Sequence, residues 1–153
     1  MKFFEKKIPI YCPINGEVKD LSKVNDDMFA TKLMGDGFAI VPKGSKIYSP
    51  VKGRIASVFP TKHAISIKTK NQQDVLIHIG IDTVELAGEG FTINVNEGDE
   101  IDQHTELGEV DFDFIRQSNK ETDVIVVFPE STSKELMISY GDHTHQEEIG
   151  YLK

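Results

Sequence analysis

Short apolar runs separated by turn-forming residues make up most of the chain. Glycine, proline, asparagine and aspartate recur at the turns, in segments such as PING (13–16), PKGS (42–45) and NEGD (96–99). Between the turns, β-branched and aromatic residues favour strands. The predicted strands span 38–41, 46–48, 54–59, 64–68, 75–81, 107–110, 124–128 and 136–139, and EIGYLK (148–153) closes the chain. Many short strands with regular turns predict an all-β fold, an antiparallel sandwich or barrel-like domain.

The best helical candidate is DFDFIRQS, over residues 111–118. Asp111 could cap its first turn, and Phe112 and Ile115 are three residues apart, as on one face of a helix. At most short helical turns therefore accompany the strands. No linker, low-complexity segment or clear repeat interrupts the pattern, which indicates a single domain over residues 1–153.

One histidine lies inside the apolar run that opens DVLIHIGIDTVELAGEGF, residues 74–91. His78 has three interpretations: a satisfied core histidine, one ligand of a metal pair, or a nucleophile. Neutral imidazole is a nucleophile near neutral pH and can form a covalent intermediate. Gly80, two residues further on, leaves room for a bound group and for backbone N–H donors. The residues by themselves leave all three interpretations open.

A second histidine is predicted to face the first. If residues 64–68 and 75–81 form a hairpin that turns at Thr69–Gln72, His63 lies directly opposite His78, and the two side chains point to the same face. A second imidazole N–H could then bind the oxygens of a phosphoryl group on the first. The same register pairs Ile65 with Leu76 and Ala64 with Ile77, which keeps both faces apolar.

Composition and charge narrow the function classes. Hydrophobic residues make up 39% of the 153 residues and charged residues 27%, as in globular proteins. The net charge of −8 argues against nucleic acid, which needs a basic surface, and suits a basic protein partner. No apolar run approaches the roughly 18–20 residues that span a bilayer, and residues 1–10 lack the pattern of a signal peptide. With Cys12 as its single cysteine, interpreted as a small buried hydrophobe, the chain is expected in the cytoplasm.

The segment around His78 resembles the phosphorylation-site segment of the glucose-type IIA components of the bacterial phosphoenolpyruvate:sugar phosphotransferase system. Three further segments are similar to that family in order: CPINGEVKDLSKVNDDMFATKLMGDGFAIVP, IYSPVKGRIASVFPTKHAISIKT and INVNEGDEI. The resemblance covers about residues 11–110. It implies an antiparallel β-sandwich and a phosphocarrier in which His78 accepts the phosphoryl group, His63 assists its transfer and Thr61 orients His63.

The resemblance also implies the partners. The donor would be the phosphohistidine carrier HPr, and the acceptor would be a cysteine of a sugar-specific IIB domain. No cofactor, resident metal or membrane insertion is implied, and regulatory protein targets remain open. An apolar collar around the histidines would consist of Phe29, Phe59, Leu76 and Val84, with an acidic rim of Asp26, Asp27 and Asp82. Asp26 and Asp27 could equally be solvated charges without such a role.

Some positions depart from the family pattern. Gln72 stands where glycine is common, and the adjacent Asn71 could take the left-handed conformation instead, which would shift the turn by one residue. Near the C-terminus, His143 and His145 have no usual counterpart. Together with His78 and Asp82 they mimic the ligand spacing of lysostaphin-type zinc peptidases, which gives a rival hypothesis. A binding or regulatory module without phosphotransfer is a third.

Overall fold

Fourteen β-strands and two short helices form the described part of the chain, residues 7–131 and 135–153 of a computed structural model. The helices are α1 (Asp27–Ala30) and α2 (Phe112–Gln117), and 3₁₀ turns span Leu21–Lys23 and Thr83–Leu86. The strands are β1 (Ile8–Tyr11), β2 (Gly16–Asp20), β3 (Asp36–Pro42), β4 (Lys46–Tyr48), β5 (Gly53–Val58), β6 (Ala64–Thr69), β7 (Asp74–Ile79), β8 (Phe91–Ile93), β9 (Glu100–Ile101), β10 (Glu106–Val110), β11 (Val124–Phe128), β12 (Leu136–Ile138), β13 (Gly141–His143) and β14 (Glu148–Leu152). The predicted all-β class with short helical turns is confirmed.

The strands form one large sheet and two small ones. The large sheet has eight strands in the order β13-β2-β3-β11-β7-β6-β5-β9, and the small sheets have the orders β1-β14-β12 and β4-β10-β8. The pairings are antiparallel throughout these sheets. Buried Ile, Val, Leu and Phe side chains from all three sheets pack into one large core. This arrangement is the predicted antiparallel sandwich.

Each of the nine predicted strands overlaps an observed one, whereas β1, β2, β8, β9 and β13 were not predicted. Four of these five lie at an edge of their sheet, where only one side of the strand is paired. The sequences of β2 (GEVKD) and β13 (GDH) carry few apolar residues, and β8 and β9 are only three and two residues long, so the hydrophobic pattern does not mark them. No helix in the described ranges is long and apolar enough to cross a bilayer.

The predicted helix is α2. Asp111 caps it by accepting a hydrogen bond from the backbone N–H of Phe114 at 3.0 Å, and Phe112 and Ile115 are buried on its inner face. Cys12 is also buried, as expected. Burial raises the pKa of its thiol to about 11, and the thiol donates a hydrogen bond to the Ile14 carbonyl at 3.1 Å.

A smaller cluster of buried side chains covers the other face of the large sheet. It joins residues of the 21–30 segment to residues of β3, β11 and the turn after β7; its buried members are Leu21, Val24, Phe29, Ala39, Ile81, Ile125 and Val127. As a result β11, with the sequence VIVVF, is buried at all five positions. The cluster therefore anchors α1 beside the end of β7.

The predicted register of the β6–β7 hairpin is wrong by one residue. Ala64, not His63, lies opposite His78, and further along the hairpin Ile65 lies opposite Ile77 and Ser66 opposite Leu76. The reason is the turn. The backbone N–H of Thr69 donates to the carbonyl of Gln73 at 2.9 Å, so the loop has three residues, 70–72, and not two.

The loop also departs from the expected conformation. Gln72 itself takes the left-handed conformation, with φ of 65°, and not Asn71, which was the alternative raised from the sequence. For a residue with a Cβ this conformation costs roughly 1–2 kcal/mol. A glycine at this position would avoid the cost, which fits the expectation that Gln72 stands where glycine is common.

Candidate functional site

Two histidine rings meet at the end of the β6–β7 hairpin. His78 is the penultimate residue of β7, and His63 immediately precedes β6. Their ring centroids are 5.0 Å apart with an interplanar angle of 80°, an edge-to-face contact. His63 lies outside the strand, so its side chain does not have to follow the alternation of side chains along β6. The preceding residue, Lys62, has a left-handed φ of 61°. The predicted pair of rings is therefore present, although the register used to predict it is wrong.

The ring of His78 is fixed through one nitrogen. Its Nδ1 lies 2.8 Å from the carbonyl oxygen of Gly80, which can only accept, so Nδ1 carries a proton. In the neutral ring Nε2 then bears the lone pair. Among the described residues Nε2 has no hydrogen-bond partner, and His78 is half-buried. This arrangement leaves Nε2 open to react with an incoming electrophile.

His63 is held from the opposite side. Its Nδ1 lies 2.6 Å from the hydroxyl oxygen of Thr61, the contact that the family resemblance implied. Phe59 packs edge-on against the imidazole, with centroids 5.6 Å apart at 82°. The residue is only 6% exposed. Thr61 and Phe59 therefore restrict the orientation of His63 while one ring edge faces His78.

Burial determines the protonation of both rings. Burial lowers the pKa of His78 below its usual 6.5, although the hydrogen bond to Gly80 and the charges of Asp26 and Asp82 act in the opposite direction. Burial also lowers the pKa of His63, and the neighbouring His78 lowers it further. Both imidazoles are consequently neutral around neutral pH, and neutral imidazole is the nucleophilic form.

The four residues of the expected apolar collar differ in how deeply they are buried. Phe29 is buried, with its ring centroid 5.0 Å from that of His78. Leu76, two residues before His78 on β7, is partly buried against the small cluster. Phe59 and Val84 are 39% and 50% exposed, respectively. Phe29 and Phe59 thus each contact one of the histidine rings, and Phe59 and Val84 present apolar surface to solvent.

The three acids of the expected rim have different surroundings. Asp26 caps α1 by accepting from the backbone N–H of Met28 at 2.9 Å, and its charge also acts on His78. Asp82 is exposed, has a left-handed φ of 59° and acts on His78 as well. Asp27 is exposed in the first turn of α1. The solvated interpretation fits Asp27, whereas Asp26 has both a structural and an electrostatic connection to the site.

Sequence reasoning missed Thr83, which organises the turn behind His78. Its side chain is fully buried, and its hydroxyl donates to the Ile79 carbonyl. Gly80, at φ of 74°, has no room for a side chain, since a Cβ there would lie 2.5 Å from the Thr83 methyl group. The backbone N–H of Gly80 donates to the Asp123 carbonyl at 2.8 Å. The threonine that closes the HIGIDT segment, four residues after the last strand residue, was the available clue.

Two exposed apolar side chains in the segment beside the site were not predicted from the sequence. Met28 and Leu33 are 52% and 75% exposed, on and just after α1. A helix of four residues is too short to produce a recognisable periodicity. These two residues extend the apolar surface around Phe29.

His143 and His145 are not brought to this site. Their segment pairs with β2, and β13 lies four places from β7 in the sheet, roughly 19 Å at the usual strand spacing. His143 contacts the Glu147 carboxylate through Nδ1 and the Ser139 carbonyl through Nε2, at 3.0 Å. His145 stacks on Tyr48, with centroids 4.1 Å apart at 6°. The ligand set of the zinc peptidase hypothesis is therefore not assembled.

Comparison with known proteins gives a consistent result. Residues 8–134 match the family model described as phosphoenolpyruvate-dependent sugar phosphotransferase system, EIIA 1. The PTS system glucose-specific EIIA component of Halalkalibacterium halodurans is 46% identical over 118 residues, which is 77% of this chain and 68% of that protein. The solved structure of glucose permease IIA from Mycoplasma capricolum superposes with a TM-score of 0.90 at 32% identity and covers 99% of both chains.

Proposed function

Because the chain belongs to the EIIA 1 family of the phosphoenolpyruvate-dependent sugar phosphotransferase system, we propose that it is a phosphocarrier acting through His78. It takes a phosphoryl group from phospho-HPr and passes it to a cysteine of a IIB domain. The observation that carries this proposal is the ring of His78, with Nδ1 fixed by the Gly80 carbonyl and Nε2 open beside a second histidine. The exchange would take place in the cytoplasm.

In the first half-reaction, the Nε2 lone pair of His78 attacks the phosphorus atom carried by HPr. The new bond joins phosphorus to Nε2, and the bond between phosphorus and the HPr histidine breaks, returning its electron pair to that imidazole. The ring of His78 then carries a proton on Nδ1 and phosphorus on Nε2. The Gly80 carbonyl, 2.8 Å from Nδ1, stabilises the positive charge of this ring.

In the second half-reaction, a thiolate of the IIB domain attacks the same phosphorus atom. The bond to Nε2 breaks, and its electron pair returns His78 to the neutral imidazole with the proton still on Nδ1. The product is a phosphocysteine on the acceptor. His78 is thus regenerated in each cycle without a change in its own tautomer.

His63 would hold the phosphoryl group on His78, and this positioning is most demanding when the group is passed on to the IIB cysteine. When the Thr61 hydroxyl donates to Nδ1 of His63, the remaining proton of that ring lies on Nε2. Nε2–H can then donate to a phosphoryl oxygen on His78, since the two rings are in contact. Such a donor stabilises the charge that builds up on the oxygens in the transition state.

The surroundings of the two rings suit a transient protein complex. Phe59 and Val84 present exposed apolar surface, and Asp26 and Asp82 place negative charge beside it. An apolar patch with an acidic edge fits small basic carriers, whose charge speeds encounter and fixes orientation. Both relatives named above are glucose-type IIA proteins by name, so glucose is the first sugar to test.

The proposal is tested with HPr, enzyme I and radiolabelled phosphoenolpyruvate. One acid-labile, base-stable phosphoryl group should form, and peptide mapping should locate it on His78. His78→Ala should abolish labelling, whereas His143→Ala, the matched control, should label as the wild type does. Label retained by His78→Ala would refute the assignment. Binding to HPr without any labelling would favour a regulatory module without phosphotransfer.

A further inference from the structure

A cleft of about 570 Å³ lies at the other end of the β6–β7 hairpin, next to its turn. Strand β6 runs from the His63 end to this turn, and β1, β5 and β9 complete the walls. The charged residues lining it are Lys7, Lys52, Arg54, Lys68, Lys70 and Glu100. The lining thus holds five cations and one carboxylate, so it is positively charged although the whole chain has a net charge of −8. We call this feature the basic cleft.

Two of these cations are placed against each other by the sheet itself. Arg54 of β5 lies directly opposite Lys68 of β6. Like charges at directly opposed positions destabilise an antiparallel pair. Glu100 lies opposite Arg54 on the far side, and Asp74 is 3.4 Å from Lys68. The row therefore has acids at its ends and two adjacent cations at its centre.

The remaining cations add positive charge that the described residues do not neutralise. Of the five cations that line the basic cleft, Lys68 forms an ion pair with a carboxylate within residues 7–131 and 135–153, and the other four form none there. Lys52 and Lys70 are exposed at the ends of the neighbouring strands. Lys7 lies over the ring of Tyr151, 4.3 Å from its centroid. By contrast, Lys43, Lys46 and Lys120, elsewhere on the surface, each have a carboxylate partner.

We propose that the basic cleft binds a small anion carrying two or more phosphate groups. Arg54 can bind phosphate oxygens in a bidentate manner, and lysines at both ends of the cleft can reach a second phosphate. A cleft of this volume accommodates a small ligand, while the overall charge of −8 opposes long polyanions and anionic membranes. A bound anion would also relieve the repulsion between Arg54 and Lys68.

This cleft is separate from the histidine site. The Ala64–His78 and Lys68–Asp74 pairs are four residues apart along the hairpin, a distance of about 13 Å. Ligand binding in the basic cleft therefore does not require the chemistry of His78. The two proposals can fail independently.

The test is a titration of the full chain with pyrophosphate at low and at moderate salt. Binding is measured through the amide chemical shifts in NMR spectra. Shifts should saturate with a Kd below about 1 mM and concentrate in residues 52–54 and 68–72. The Lys52→Gln/Lys70→Gln double variant should weaken binding by about tenfold or more, since it removes charge-assisted contacts. The Lys43→Gln/Lys46→Gln double variant removes the same charge from paired lysines and should bind as the wild type does.

Parallel titrations with a hexaglutamate peptide and with vesicles containing anionic lipid distinguish other occupants. Both should bind more weakly than pyrophosphate. Tighter binding of either at the same residues would overturn the proposed ligand class. Shifts spread over all surface lysines, absence of saturation, or equal weakening by both double variants would overturn the site. The amide NMR spectra of both double variants should keep the wild-type dispersion outside the substituted segments, which shows that they are folded without reference to phosphorylation of His78.

Discussion

The molecule holds two regions with paired histidines, and they differ in what their ring nitrogens contact. At the end of the β6–β7 hairpin, Nδ1 of His78 is bound by a carbonyl, and Nε2 has no partner among the described residues. At the end of edge strand β13, both nitrogens of His143 have partners within the same segment, Ser139 and Glu147. A histidine whose two nitrogens are both engaged is held in place and has no lone pair to offer.

The side chains around the two histidine pairs also differ. His63 and His78 meet edge-to-face, with exposed apolar side chains nearby that a partner could cover. His145 lies flat on Tyr48 at an interplanar angle of 6°, and its backbone N–H is bound by the Asn15 side chain at 2.8 Å. The comparison teaches that the number of histidines identifies no site here. Nδ1 of His145 also has no hydrogen-bond partner among the described residues, but that atom is buried. The decisive features are therefore a ring nitrogen that is both unpartnered and accessible, and a second donor within reach.

The largest effect should come from His63→Gln. Gln keeps an N–H donor of similar reach, so His78 should still accept a phosphoryl group. Onward transfer to the IIB domain should slow by about 100-fold, because positioning errors of about 1 Å cost that much. The phospho-form should accumulate. Timing the two half-reactions separately by rapid quench measures this, with His143→Gln as the control.

Equal losses in both half-reactions, or no loss in either, would show that His63 is a packing residue. A comparable slowing in His143→Gln would remove the distinction between the two regions.

A smaller effect is expected from Thr83→Val, which removes the hydroxyl bound to the Ile79 carbonyl. Unfolding free energy should fall by about 1–2 kcal/mol, and phosphoryl acceptance should slow by roughly tenfold as the Gly80 carbonyl loses its fixed position. Nitrogen NMR should show a mixed tautomer for His78. Thr83→Ser should restore both the rate and the tautomer. Slow transfer with an unchanged tautomer would contradict the positioning role.

The pH dependence of phosphoryl acceptance tests whether burial keeps the ring of His78 neutral. A pKa of His78 below 6.5 means that the rate constant holds as pH falls past 6.5 and declines only at lower pH, when the ring protonates. Asp82→Asn should move this decline to lower pH still, because the Asp82 charge raises the pKa of His78. Single-turnover assays at saturating phospho-HPr measure both. A decline centred above 6.5 would show that burial does not control the ring.

The smallest effect on transfer is expected in the other region. His145→Ala removes the stacked contact with Tyr48 and should lower the unfolding free energy by about 1 kcal/mol. Both transfer half-reactions should be unchanged. Chemical denaturation and the same rapid-quench assay check the two parts. A loss of transfer without a loss of stability would mean that this region takes part in the reaction.

The sheet core was predictable from the sequence because central strands carry continuous or alternating apolar residues, as VIVVF in β11 does. Edge strands such as β13 depend on a neighbour's backbone and leave little trace in the hydrophobic pattern. The hairpin register depended on a single residue: a three-residue loop ending in left-handed Gln72 replaced the expected two-residue turn. Local sequence does not determine that choice.

The candidate site was predictable in part for similar reasons. The resemblance implied the contact between Thr61 and His63, which are two residues apart and are brought together by the local turn. The roles of Asp26 and Thr83 depend on α1 and on the turn after β7, whose shapes are fixed by packing against the small buried cluster. The segment with His143 and His145 matched a metal-ligand spacing, but strand order places it far from β7.

The central claim is that Nε2 of His78 is the atom that carries the phosphoryl group. Long-range proton–nitrogen NMR of the phosphorylated, nitrogen-labelled protein tests it directly, because phosphorus bonded to a ring nitrogen changes the shift of that nitrogen. The account predicts a new shift at Nε2 of His78, a retained proton on Nδ1, and unchanged ring spectra for His143 and His145. Phosphorus on Nδ1 of His78, or on any other histidine, would contradict it.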